Sequence, residues 1–147
     1  MVFTLQRLAQ EKVLELLREA ENSFTPPLSC NIPYTVEEYA TKLSEHASFV
    51  LCKEDERVIG FTAFYLNKEG GYAYVPQIWV SDDYQRQGIG SAMIDELVKN
   101  VGDEINSIRL EVRKNNSKAF SFYLKSGYTV VEEKKGKCLM EKQVEGM

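Results

Sequence analysis

Residues 84–94, YQRQGIGSAMI, set two glycines one residue apart, just after the apolar run VPQIWV and at the opening of a helical pattern. Such a junction is suited to an anion. The first amides of a helix have no intrahelical acceptor, and the macrodipole places partial positive charge beside them. Gly88 and Gly90 remove side chains, so a ligand can approach the backbone closely. The result is a nest for a phosphate or pyrophosphate. Two familiar phosphate loops fail here at particular residues. A Walker A loop needs G-x-x-x-x-G-K-[ST], and this stretch has Ser91 but no lysine. A dinucleotide fingerprint needs a third glycine where Met93 stands.

Other chemistries are narrowed by what the chain lacks. The one histidine is His46, in LSEHASF at the end of a predicted helix, which excludes every two-histidine metal motif. A Ser-His-Asp or Cys-His site would have to use it, but its position suits an exposed residue at a helix C-terminus. No metal is expected. Cys30, Cys52 and Cys138 are odd in number and form no C-x-x-C pair, so reduced thiols and a cytoplasmic location are expected. The formal net charge of −4 argues against nucleic acid, which needs a basic face, and suits a cationic partner such as an amine. The acidic residues Glu37, Glu38, Glu54, Asp55 and Glu56 read as a solvated face. The start, MVFTLQRLAQEK, has no apolar core of signal-peptide length. No window approaches ~18 consecutive apolar residues, so no membrane span is expected.

The elements that must position the loop follow from periodicity. With 147 residues, 44% of them hydrophobic, a single domain over residues 1–147 is expected. FTLQR is a short strand, and QEKVLELLREAE a helix with Val13, Leu14, Leu16 and Leu17 on its core. NSFTPPLSCNIPY, residues 22–34, holds three of the four prolines and reads as a loop. Thr35 opens T-x-x-E before a helix, a capping box. SFVLCK, VIGFTAFYL and YAYVPQIWV are three successive strands, and Pro76 marks a bulge or edge in the third. A helix runs from about Gly90 to Val101, with Ile89, Met93, Ile94, Leu97, Val98 and Val101 in one stripe. SIRLEVR alternates strictly, with Ile108, Leu110 and Val112 on one face and Arg109, Glu111 and Arg113 on the other. NNSKAFSFYLKSG is a capped helix ending at Gly127, and YTVVEE and KCLMEK make a last hairpin. The order β-α-α-β-β-β-α-β-α-β-β describes a mixed α/β domain around one sheet.

VSDDYQRQGIGSAMI resembles motif A of the GCN5-related N-acetyltransferases (GNAT), [QR]-x-x-G-x-[GA], through Gln85, Gly88 and Gly90. LEVRKNNSKAFSFYLKSGY is similar to that family's second half through Leu110, Val112, Asn116, Ala119, Tyr123, Gly127 and Tyr128. The close match spans about residues 74–128. The resemblance implies an α/β (α+β) fold. Its mixed, mostly antiparallel sheet would have about six or seven strands and about four flanking helices, splayed at the cofactor cleft near Pro76. It also implies acetyl transfer from acetyl-CoA to an amine by direct attack in a ternary complex. The amides of Arg86, Gln87, Gly88, Ile89, Gly90 and Ser91, with Gln85 ahead of them, would hold the CoA pyrophosphate. The backbone of Ile78, Trp79 and Val80 would pair with the pantetheine arm like an added strand. The Ile78 amide would hold the developing oxyanion, and the Asn116 side chain would reach the cofactor.

Direct attack needs a neutral amine, while an alkylammonium has a pKa near ~10.4. A base must take a proton, usually through a water, and the leaving thiolate wants one. By resemblance Tyr123 is the acid for the thiolate, although Phe120, Tyr123 and Leu124 also form an apolar stripe that a buried tyrosine would share. Glu111 is the base candidate. It lies five residues before Asn116 and twelve before Tyr123, a spacing also found in ribosomal-protein N-terminal acetyltransferases, where that glutamate is the base. A surface pair with Arg109 or Arg113 is its other reading, and such a pair is worth little. Tyr74 and the Gln77 region are further candidates for placing a water.

Trp79 is bulkier than the small residue common at its place in the family, which would reshape the acceptor side. The resemblance implies that acceptor choice lies around Phe24–Tyr34, a stretch with Pro26, Pro27 and Pro33 that does not resemble the ribosomal-protein enzymes. Arg86, Lys114 and Lys118 are positioned to meet CoA phosphates or plain solvent. The function that fits is an N-acetyltransferase acting on a small primary amine: an amino sugar, aminoglycoside, polyamine or amino acid. A protein or peptide amine is the alternative within the same chemistry. An acyl-CoA sensor without catalysis is the alternative outside it, and the presence of Tyr123 and Glu111 favours catalysis. A homodimer is compatible with the resemblance and not demanded by it.

Overall fold

The computed structural model describes residues 1–21 and 33–144. Its elements run β1 (Val2–Gln6), α1 (Gln10–Ala20), α2 (Val36–His46), β2 (Ser48–Glu54), β3 (Arg57–Asn67), β4 (Tyr72–Val80), α3 (Ile89–Asn100), β5 (Ser107–Arg113), α4 (Ser117–Lys125), β6 (Thr129–Lys134) and β7 (Lys137–Gln143). A 3-10 turn, Asp82–Tyr84, separates β4 from α3. This is the order expected from the sequence. The seven strands form a sheet in the order β1-β2-β3-β4-β5-β7-β6. Pairing is antiparallel for β1–β2, β2–β3, β5–β7 and β6–β7, and parallel for β4–β5. The expected loop over residues 22–34 lies outside the described residues except for Pro33 and Tyr34, and Cys30 lies outside them too. No helix among the described residues is long and apolar enough to cross a membrane.

The chain forms two compact units: residues 1–64 with 77–97, and residues 65–76 with 98–147. In the first, Val13, Leu16 and Leu17 of α1 and Leu43 of α2 are buried with Phe49, Leu51, Ile59, Phe61, Met93 and Leu97. Helix α2 begins as the sequence predicts. The Thr35 Oγ1 accepts from the Glu38 amide at 3.0 Å, and Glu38 Oε1 accepts from the Thr35 amide at 3.0 Å. These bonds hold the Glu38 carboxyl below its ordinary pKa. His46 stands exposed in the last turn of α2.

In the second unit the alternation of β5 is realised. Ile108, Leu110 and Val112 are buried together with Ala73, Val75, Cys138 and Met140. The parallel ladder between β4 and β5 runs from Tyr72 opposite Ser107 to Val75 opposite Leu110 and stops there. The next residue is Pro76, which has no N–H to give. Helix α4 is capped at both ends. Asn116 Oδ1 accepts from the Ala119 amide at 3.2 Å. At the other end the Gly127 amide donates to the Leu124 carbonyl at 3.1 Å and the Tyr128 amide to the Tyr123 carbonyl at 2.9 Å, with Gly127 at φ 99°. That is a Schellman closure. The last hairpin turns on Lys135 and Gly136, at φ 45° and 80°, a pair of left-handed residues that matches the twist of its strands.

Candidate active site

The glycine loop belongs to the first unit. Strand β4 ends where the Ser81 amide donates to the Ile59 carbonyl at 2.7 Å. The side-chain amide of Gln85 then folds back, donating to the Val80 carbonyl at 3.1 Å and to Asp82 Oδ1 at 3.2 Å. Gln85 therefore ties the loop to the strand, and its side-chain hydrogens are spent inside the loop. Arg86 and Gly88 both take left-handed φ, 66° and 76°. A Cβ on Gly88 would meet nothing within 4 Å, so its glycine serves conformation rather than space. At Gly90 the nearest heavy atom to an added Cβ is Ile78 Cγ2 at 4.0 Å. The Ala92 amide bonds the Gly88 carbonyl at 3.0 Å, so Gly88 caps α3 and the amides of Ile89, Gly90 and Ser91 have no intrahelical acceptor. No acidic side chain occupies the first turn of α3. The loop is thus an open cradle of donors at the positive end of a helix.

Above it, Trp79 is 4% exposed and its ring lies against Phe61 at 5.8 Å. Its bulk is absorbed in the core of this unit. A Cβ on Gly60 would lie 3.0 Å from the Trp79 carbonyl oxygen and 3.4 Å from Met93 Cε. A side chain at position 60 would press on the Trp79 carbonyl, so glycine eases the passage of β3 beneath it.

The second unit holds Glu111, Asn116 and Tyr123. Glu111 is exposed on β5, and the Tyr74 hydroxyl donates to its Oε1 at 2.6 Å. One carboxylate oxygen is thereby fixed and the other left available. The Tyr74 ring stacks on Tyr65, 6.4 Å between centroids at 13°. The alternative reading of Glu111, a surface pair with Arg109 or Arg113, is not realised among the described residues. Arg109 Nε instead donates to Glu141 Oε2 at 2.6 Å, and its guanidinium lies 4.3 Å over the Tyr72 ring. Tyr72, Tyr74, Arg109 and Glu111 line a cavity of ≈ 240 Å³ with Glu132, Lys134, Lys137 and Leu139. Tyr74 had a signal in the sequence, since alternate residues of two adjacent strands share a face. Lys134 and Lys137 had none, because nothing in the sequence says that β7 inserts between β5 and β6.

Tyr123 is half-buried, edge-on to Phe122 and Tyr128 at 5.3 Å from each. Burial pushes its hydroxyl up to about 12. Asn116 spends Oδ1 on the α4 cap and keeps its two amide hydrogens for another partner.

The Acetyltransferase (GNAT) family matches residues 13–128. Comparison with curated proteins gives no match. Among solved structures, the chain is similar to the PaiA N-acetyltransferase from Thermoplasma acidophilum, in complex with coenzyme A. That match has 23% identity and a TM-score of 0.74, over 98% of this chain and 100% of that one. It is similar to Tetrahymena GCN5 with 20% identity and a TM-score of 0.70, over 98% of this chain and 96% of that one. For the ribosomal-protein-S18-alanine N-acetyltransferase from Escherichia coli the figures are 19% and 0.69, over 99% of this chain and 96% of that one.

Proposed function

The chain belongs to the acetyltransferase (GNAT) family and is an acetyl-CoA-dependent acetyltransferase, and from that premise we propose that its acceptor is a small primary amine. The observation that carries the acceptor reading is the cavity of ≈ 240 Å³ around Glu111, which suits a small molecule and not a folded surface. The whole span 1–147 serves as one acetyltransferase domain in this reading. It works in the cytoplasm, a reading supported by the free, buried thiols of Cys52 and Cys138.

The roles follow from the chemistry of each group. The free amides of Ile89, Gly90 and Ser91, with those of Arg86, Gln87 and Gly88, take the pyrophosphate of CoA. The backbone of Ile78, Trp79 and Val80 takes the pantetheine arm, and the Ile78 amide the thioester oxygen. Asn116 adds a side-chain donor. Glu111, with Oε1 held by Tyr74, offers Oε2 to the ammonium form of the acceptor and removes one proton. The amine nitrogen then attacks the thioester carbonyl, the C–N bond forms, the C–S bond breaks, CoA leaves as thiolate and the nitrogen loses its second proton to water, which leaves the neutral amide. Tyr123, protonated at neutral pH because its hydroxyl is pushed up to about 12, donates a hydrogen bond to that sulfur.

The test is release of free CoA thiol from acetyl-CoA over a panel of amino sugars, aminoglycosides, polyamines, amino acids and short peptides. Turnover of small amines without turnover of peptides is the expected result. Turnover confined to peptides overturns the acceptor reading and leaves the acetyl transfer standing.

A further inference from the structure

Three cations stand in one row across the sheet of the second unit. Lys137 of β7 lies directly opposite Arg113 of β5 on one side and Lys134 of β6 on the other. Like charges directly opposite each other cost stability. Among the described residues none of the three is ion-paired, whereas the neighbouring Lys114 reaches Glu133 Oε2 at 3.5 Å and Arg109 reaches Glu141 at 2.6 Å. The sequence thus places carboxylates beside the row and leaves the row itself uncompensated.

The row faces the cavity that holds Glu111. Glu111, Leu139 and Glu132 form the adjacent row on the same face, since Glu111 pairs with Leu139 and Leu139 with Glu132. Successive rows on one face are ~7 Å apart, two residues along a strand. Lys134 and Lys137 line the cavity together with Glu111. The cavity therefore has two ends. One carries two carboxylates, Glu111 steadied by Tyr74 and Glu132, and the other is a pair of ammonium groups without ion-pair partners. Arg109 is occupied by Glu141 and by the Tyr72 ring and contributes no free charge.

We infer that the acceptor is a small amine that also carries an anionic group, a carboxylate or a phosphate monoester, seated on Lys134 and Lys137 while its nitrogen faces Glu111. The inference rests on the small-amine acceptor reading proposed above and narrows its substrate class. A polyamine or an aminoglycoside would bring cations to both ends and meet repulsion at one. A zwitterionic amine meets the opposite charge at each end.

The experiment uses matched pairs of amines in the thiol-release assay: aminohexanoate against its amide, glucosamine phosphate against glucosamine, and a polyamine. The anionic member of a pair is expected to be acetylated with the higher kcat/KM. Whether the carboxylate or the phosphate pair shows the larger preference identifies the anion. In Lys134→Gln and Lys137→Gln the ratio of anionic to neutral kcat/KM should fall by about threefold to fivefold per lysine, the scale of a solvated ion pair. Preference for the neutral or cationic member, or a ratio that both variants leave unmoved, overturns the inference while acetyl transfer stands. If no amine releases thiol, the acetyl-transfer reading fails for these acceptors and the anion seat is read separately. A thermal shift with glucosamine phosphate that both variants abolish still places an anion there, and no shift overturns it.

Discussion

In the proposed mechanism Tyr123 is a donor and not a source of protons. A phenol pushed up to about 12 by burial would hydrogen-bond a leaving thiolate whose thiol titrates near ~8.5 without surrendering its own hydrogen. Tyr123→Phe keeps the ring contacts with Phe122 and Tyr128 and should lower kcat by about 10–100-fold with the KM for acetyl-CoA little changed. Unchanged turnover in steady-state assays removes Tyr123 from the mechanism. Glu111→Gln should cost about 100-fold in kcat/KM, partly recovered at high pH where the amine loses its proton unaided. Tyr74→Phe frees the Oε1 of Glu111 and should cost less, about threefold to tenfold, in pH–rate measurements. Tyr123 and Glu111 were legible as candidates because motif and spacing marked them. The partner of Glu111 was not fixed, because Arg109, Arg113 and Tyr74 could each reach it; the β4–β5 register sets Tyr74 opposite Arg109, and its hydroxyl reaches the next residue along that face, Glu111.

At the scale of elements, two short segments position the chemistry. Gly60 lets β3 run 3.0 Å, measured from an added Cβ, beneath the Trp79 carbonyl. Gly60→Ala presses a methyl group against the Trp79 carbonyl and should cost about 1–3 kcal/mol in chemical denaturation, with weaker acetyl-CoA binding because Trp79 leads into the loop. Asn116 caps α4 and, in the proposed reading, also donates to the cofactor. Asn116→Asp keeps the oxygen that caps α4 and removes the amide hydrogens, so stability should hold while the KM for acetyl-CoA rises. Asn116→Ala should also lose about 1 kcal/mol of stability. Equal effects of the two variants on both readouts would reduce Asn116 to a cap. The elements were largely legible in the sequence: the capping box at Thr35, the alternation of Ser107–Arg113 and the Gly127 stop all appear as expected. Long-range pairing was not, since alternation states which face a residue takes and never which strand lies beside it.

For the whole molecule, occupancy by acetyl-CoA should register as stability. At a ligand concentration about 100 times Kd the gain is about 2.7 kcal/mol, visible as a rise in Tm in a thermal melt. Alkali should do the reverse. Tyr123 titrates at about 12 when folded and near ~10 when unfolded. Its neutral form is favoured in the folded state, so stability is whole below pH ~10 and falls as the pH climbs toward 12, by at most about 3 kcal/mol. Tyr123→Phe should flatten that part of a stability–pH curve. The strand order adds a consequence for biosynthesis. β7 follows β6 in the chain, yet it lies between β5 and β6. Until residues 137–143 emerge, β5 exposes an open edge and Glu111 lacks Leu139 beside it. A nascent chain therefore cannot close the cavity around Glu111 before β7 is made, and a premature stop before Lys137 leaves β5 with an unpaired, aggregation-prone edge.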